Sequence, residues 1–149
     1  MMTFEYNFVI RAPLAAVAAF HHDTRALKRL TPPPILIQMH KIEPLARNSV
    51  AEFTLWFGPL PVRWAAVHAN VDPLRGFTDV QASGPMKYWK HTHTFTAESN
   101  RVTRVGEHIE YEHHRGWRGL LSRLLFARPA LWALFTYRKL ATRKSLERQ

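Results

Sequence analysis

The segment Trp89-Lys90-His91-Thr92-His93-Thr94-Phe95 alternates large inward candidates with Lys and Thr. In an extended chain alternate residues share a face, so Trp89, His91, His93 and Phe95 point the same way. Such a face joins apolar surface to two imidazoles able to orient a carbonyl or hydroxyl, the usual makeup of a small-molecule site. The same histidines also fit a plain role as hydrogen-bonded wall residues. Upstream, Phe77, Asp79 and Gln81 repeat the alternation, and the turn at Gly84-Pro85 brings them beside the histidines. One register sets Asp79 opposite His91; a slip of one residue turns Asp79 to the other face. A carboxylate beside a buried imidazole orients it and favours its protonated form, which suits general acid–base work. His-x-His is also a metal-ligand spacing, with His68 or Glu107 as third donor. No helical His-Glu-x-x-His or other dedicated motif accompanies it, so neither a metal nor another cofactor is expected. The pairs His21-His22 and His113-His114 are placed at element ends.

These residues need a scaffold, and the chain has the material for one. Its 149 residues are 46% hydrophobic and 12% aromatic, with 5 Trp and 9 Phe to bury, which excludes disorder for most of the chain and predicts one domain over 1–149. The absence of Cys excludes disulfides, a thiol nucleophile and thiolate metal sites. Lys and Arg number 21 against 11 Asp and Glu, a net charge of +10 concentrated late, from Arg115, Arg118, Arg123 and Arg128 to Arg138, Lys139, Arg143, Lys144 and Arg148. With no Gly-rich phosphate loop, zinc finger or ribonucleoprotein motif, that charge predicts no specific nucleic-acid partner. Arg138, Lys139, Arg143 and Lys144 fit a solvated helix end complementing the dipole, or a transient contact with an anionic membrane surface. The start of the chain lacks the pattern of a signal peptide, and the apolar stretch 119–135 contains Arg123, Arg128 and Pro129. A cytoplasmic protein without a membrane span is expected.

Alternation at Phe4, Tyr6, Phe8 and Ile10 predicts a first strand over 4–10. Pro13 opens a short helix to Phe20, and Asp23-Thr24 cap a second carrying Leu27 and Leu30 before Pro32-Pro33-Pro34 stops it. Strands are then predicted over 35–42, 50–57, 62–71, 77–83, 88–95 and 102–111, with short turns that make them an antiparallel meander. A long helix follows over 120–146, with a break foreseen at Arg128-Pro129. Leu121, Leu124, Leu125, Leu131, Trp132 and Phe135 recur on it at roughly helical spacing, as core or as the lid of a pocket. The fold class is thus α+β: a curved antiparallel sheet of about seven strands wrapped around a C-terminal helix, with two short helices after strand one. A single long helix cannot fill the concave side of such a sheet, so a cavity is expected between them.

This order, together with Phe57-Gly58-Pro59, Pro61-Val62-Arg63-Trp64, Phe77-Thr78-Asp79-Val80-Gln81, Gly84-Pro85-Met86 and the Trp89 to Phe95 segment, resembles the helix-grip fold of the START-like (SRPBCC) superfamily. That superfamily includes Bet v 1-like proteins, polyketide cyclases and lipid-transfer domains. The resemblance covers nearly the whole chain and is nearest to the bacterial ligand-binding group. It departs in the seventh strand, where similar sequences often carry an Asp after a Thr-containing stretch and Arg104, Gly106 and Glu107 stand here. The resemblance implies an apolar pocket for a lipid, isoprenoid or quinone, or polyketide-like molecule. Trp64, Trp89, His91, His93, Phe95 and Trp132 are the expected lining, with Asp79 and Gln81 as polar contacts. Binding or carriage of the small hydrophobic molecule is the first reading. A cyclase, dehydratase or hydrolase using Asp79 with His91 or His93 is the second, and an interaction module using the basic C-terminal face the third.

Overall fold

The computed structural model describes residues 1–147, so Arg148 lies outside the described residues. The element order is β1 (Met2–Ile10), α1 (Leu14–His22), α2 (Ala26–Arg29), β2 (Leu36–Ile42), β3 (Val50–Phe57), β4 (Leu60–Asp72), β5 (Gly76–Ser83), β6 (Tyr88–Ser99), β7 (Val102–Glu112), a 3-10 turn (Gly116–Gly119), α3 (Leu120–Leu125) and α4 (Arg128–Leu146). The strands form one antiparallel sheet in the order β1-β7-β6-β5-β4-β3-β2. Every neighbour pair except β1–β7 is consecutive in sequence, as a meander of short turns dictates. Register shifts between Ala65 and Ala66, between His68 and Asn70, and between Ala97 and Ser99 bend the strands and help curl the sheet around its inner face. This is the helix-grip fold, with the seven strands, two short helices and C-terminal helix that the sequence predicts.

The long helix is two helices. Phe126 ends α3 in a non-helical conformation, Ala127 is extended, and Pro129 sits in the first turn of α4, where a missing N–H costs nothing. On α4 the stripe Leu131, Phe135 and Thr142 is buried against the sheet, and Arg138 joins it at half-burial. The helix is fastened to β1 by polar contacts: Tyr6 Oη lies 3.1 Å from Thr136 Oγ1, and Arg143 Nη2 donates to the Val9 carbonyl at 3.2 Å. One core cluster, around Phe4, Trp64, Trp89, Ile109, Tyr111 and Phe135, lies under α4. A second, around Phe8, Ile10, Val17, Phe77, Phe95 and Val105, lies under α1. The candidate site sits between them. Among the described residues no helix is long and apolar enough to cross a membrane.

One glycine sets the position of β5 against β6. Gly76 has φ +130°, and a Cβ there would stand 1.9 Å from the His93 carbonyl oxygen, a backbone atom that cannot swing aside. Gly76→Ala therefore has to part the two strands that carry Asp79 and His93. A loss of about 2 kcal/mol or more is expected in chemical denaturation, well above that of an Ala at an exposed strand position.

Candidate functional site

β5, β6 and β7 are adjacent, and their registers place Asp79 opposite His91 and His93 opposite Glu107. His91 and His93, two apart on β6, face inward and are flanked by an acid from each neighbouring strand. Glu107 Oε2 accepts a hydrogen bond from His91 Nε2 at 2.6 Å and lies 2.9 Å from His93 Nδ1. The second of these contacts is electrostatic rather than directed, since His93 Nδ1 has no aligned partner. On the other side, Asp79 Oδ2 lies 3.3 Å from His93 Nε2 and 3.9 Å from His91 Nδ1. The imidazole rings are 3.9 Å apart, and His93 stacks on Phe77 at 4.2 Å. Glu107 is 4% exposed, so its charge is compensated by these imidazoles at close range and by the Arg138 cation further off.

The cluster has one proton that burial alone would remove. Burial works against a charged His93, yet the Glu107 charge and the bond to Asp79 outweigh it and raise its pKa to about 9. His91 moves the other way, because burial and the neighbouring His93 cation both disfavour a second positive charge. Burial would raise both carboxylates, but His93 and His91 hold Glu107 well below its ordinary value, and the bond from His93 holds Asp79 down. At neutral pH the cluster is therefore two carboxylates, one imidazolium and one neutral imidazole. His21, near the cluster, is lowered to about 4 by burial and is neutral; its Nδ1 donates to the Val17 carbonyl at 2.9 Å. His68, opposite Asp79 on β4, is also lowered by burial, and its Nδ1 donates to the Ser49 carbonyl at 3.1 Å.

Above the cluster opens a cavity of about 180 Å³. Its apolar walls come from Phe53 and Trp64 of the sheet, Trp89 of β6, Phe126 after α3, and Leu134 and Phe135 of α4, with Ala26, Leu27 and Leu30 at the α2 side. Asp79, His91, His93, His21, His68 and Arg138 supply polar surface, with Asp23, Thr24 and Thr31 on the α2 side. The Arg138 guanidinium lies 5.1 Å from the Phe135 ring centroid, and its Nε donates to the Leu30 carbonyl at 3.2 Å. Burial lowers its pKa while Glu107 and Asp79 raise it, and an arginine remains charged. The site therefore offers a broad aromatic wall, one cation on the helix side, and a carboxylate–imidazole cluster on the sheet side.

The structure brings together Trp64, Asp79, Trp89, His91 and His93 as the sequence reading expects, and separates three others from them. Trp132 is 60% exposed on the outer side of α4, because the break at 126–127 resets the helical phase and its place one residue after buried Leu131 turns it away. Leu121 and Leu124 are also exposed, because α3 turns Ser122 and the following Phe126 to the protein instead. Phe95 is buried but belongs to the core under α1, 4.9 Å from the His21 ring, beyond the cavity. Gln81 is used up in the β5–β6 turn, where Nε2 donates to the Met86 carbonyl at 2.8 Å and Oε1 accepts from the Met86 N–H at 3.2 Å. The third donor beside His91 and His93 is Asp79, in place of His68 or Glu107; Glu107 stands behind the imidazoles. The sequence reading missed Arg138 and His21 as lining residues. Arg138 lies seven residues after Leu131 on the buried stripe, a spacing that was legible; its charge alone assigned it to solvent.

No family model matches the chain, and no curated protein matches it in sequence. Solved structures do. A protein from Chromobacterium violaceum superposes at TM-score 0.79 and 12% identity over 100% of both chains. The Zhui aromatase/cyclase from Streptomyces sp. R1128 superposes at TM-score 0.77 and 14% identity, covering 99% of this chain and 94% of that one. A protein from Thermus thermophilus gives 0.71 and 17%, over 97% of this chain and 99% of its own. Likeness at these identities establishes the helix-grip fold, and function has to be argued from the site itself.

Proposed function

We propose that the protein binds and carries a small hydrophobic molecule with a polar end, of the lipid, isoprenoid or quinone, or polyketide-like class, in the cavity between sheet and α4. The observation that carries this is the pairing of an aromatic wall with a few convergent polar groups, Arg138 on one side and the Asp79–His91–His93 cluster on the other. The likeness of fold to an aromatase/cyclase supports the polyketide-like end of that range. Titration with a fluorescent fatty-acid probe tests the proposal. Saturable binding of one probe per chain, displaced by unlabelled apolar acids or quinones, is the expected result; failure of every apolar compound to compete would sink it.

The buried acid–imidazole cluster favours a second reading, a cyclase, dehydratase or hydrolase acting on such a ligand by acid–base chemistry. His91→Gln separates the two: an enzyme loses turnover and keeps binding, whereas a carrier changes little.

For the partner surface, the basic C-terminal face is reduced by the inward turn of Arg138 and by the bond of Arg143 to Val9. We infer that an anionic membrane is met instead at the 3-10 turn and α3, where Trp117 is 82% and Leu124 73% exposed, Arg118 lies over the Trp117 ring, and Arg123 and Arg128 stay exposed while bonding backbone carbonyls. Exposed Trp and Leu interspersed with exposed arginines on one stretch of chain match an interface that is apolar below and anionic above. Phe126, directly after α3, walls the cavity, which puts the docking face next to the ligand. Trp117→Ser with Leu124→Ser should lower binding to vesicles containing anionic lipid at least tenfold with unchanged thermal stability. Equal sedimentation of variant and parent would dismiss this surface. A cytoplasmic location accords with both readings.

A further inference from the structure

The geometry points to a divalent transition-metal site formed by Asp79 Oδ2, His91 Nδ1 and His93 Nε2, with Glu107 as the carboxylate that orients His91 by a hydrogen bond and faces His93 by charge, and the cavity supplying the fourth ligand. One donor atom from each of Asp79, His91 and His93 lies within 4.8 Å of the other two. Donors at about 2.0–2.1 Å from a tetrahedral zinc ion stand roughly 3.3 Å apart. The Asp79–His93 edge is already 3.3 Å, and the Asp79–His91 edge is 3.9 Å, which a small side-chain rotation closes.

The second observation is independent of that triangle. Glu107 approaches the far nitrogen of each ring, Nε2 of His91 at 2.6 Å and Nδ1 of His93 at 2.9 Å. Donation from His91 Nε2 to Glu107 fixes the tautomer and leaves Nδ1 as a bare lone pair directed to the side of Asp79. A lone pair and a carboxylate oxygen facing each other across 3.9 Å are both acceptors, and a cation between them satisfies both. Carboxylate behind, imidazole, then metal is the arrangement that tunes histidine ligands elsewhere. Two imidazoles and one carboxylate are the donor set of catalytic zinc sites and of ferrous facial triads, and no thiolate is needed. Two carboxylates, Glu107 buried and Asp79 half-buried, balance a divalent charge. All three donors line the cavity while Glu107 does not, so the open coordination position faces the ligand space. The ion would therefore meet an oxygen donor at the polar end of an apolar ligand, a carboxylate, hydroxyl or enolised ketone.

The metal alone tests this, with no organic ligand present, so the outcome is separate from that of the apolar-ligand proposal. Chelator-stripped protein, with any affinity tag removed, is titrated with Zn²⁺ by calorimetry and with Co²⁺ by visible absorption. One ion per chain at micromolar affinity or tighter is expected, with the d–d absorption of a four- or five-coordinate cobalt site. Asp79→Asn, close in shape to the parent, should weaken Zn²⁺ at least 100-fold, and Glu107→Gln should weaken it about 10- to 100-fold. Circular dichroism of each variant checks that the fold is kept. No binding of either ion to the parent at 100-fold molar excess, or equal binding by parent and folded Asp79→Asn, overturns the site; the second result would place the ion on other histidines.

Discussion

Glu107→Ala should cost roughly 3–5 kcal/mol in the metal-free protein, the largest loss expected from any single polar side chain here. Glu107 is buried to 4% exposure between β6 and β1, and it compensates two imidazoles at once. Removing it leaves His93 with Asp79 as its one remaining acid partner, and leaves the Nε2 proton of His91 with no acceptor. Glu107→Gln keeps volume and a hydrogen-bond acceptor but not the charge, so it should recover part of the loss. The pH profile separates charge from packing. His93 has its folded pKa raised from 6.5 to about 9, so its contribution is fully present below about pH 6.5 and is lost as pH rises through about 9. His21 acts in the opposite sense: with a folded pKa near 4, stability is retained above pH 6.5 and lost as pH falls toward 4. Thermal unfolding with chelator present should thus show a maximum near neutrality and an alkaline decline through pH 9. In Glu107→Gln the alkaline decline should flatten, because the largest influence raising His93 is gone. An unchanged alkaline limb in that variant would mean that Glu107 does not hold the His93 proton.

Filling the cavity is the second large effect. Ala66 lies on β4 between Trp64 and His68, is 5% exposed and lines the cavity. Ala66→Leu adds three carbons into about 180 Å³ of space. In a close-packed core such an insertion costs about 1–3 kcal/mol through forced rotamers and backbone shifts. In an apolar void the added carbons gain dispersion contacts and leave water, so stability should stay within about 1 kcal/mol of the parent or rise. Binding of an apolar probe should weaken at least tenfold, because the new side chain occupies its place. Stability and binding thereby move in different directions, which a merely damaged fold would not produce. A loss of several kcal/mol would show instead that Ala66 already sits in a filled core.

The parts of this architecture legible in the sequence are those written in period and punctuation. Alternation at Phe4, Tyr6, Phe8 and Ile10 and at Trp89, His91, His93 and Phe95 places strands, and the turn at Gly84-Pro85 sets the Asp79–His91 register. The site residues that alternation catches are Asp79, Trp89, His91 and His93, and the family likeness at Pro61 to Trp64 adds Trp64. Alternation fails where a residue's fate depends on how far along the strand the cavity reaches: Phe95 shares the His93 face but lies under α1, and Gln81 shares the Asp79 face but closes a turn. The helix is misread for a different reason. A phase carried across Arg128-Pro129 assigns Trp132 inward, whereas α4 starts its own phase and gives that direction to Leu131 and Phe135. Glu107 becomes central only when β7 pairs with β6, a contact between His93 and a residue 14 positions later that is specified by register. Arg138 follows the buried stripe against its own hydration, and two buried carboxylates near it offset the cost.

The most direct test of the central claim, an apolar ligand held in the cavity, is native mass spectrometry of the parent and Ala66→Leu proteins purified side by side, followed by denaturing extraction. A small apolar molecule with an oxygen-bearing end is expected, bound one per chain to the parent and reduced or absent in the variant. An empty parent that takes up no lipid, quinone or polyketide-like compound when these are added in excess, or a molecule retained equally by both proteins, would contradict it.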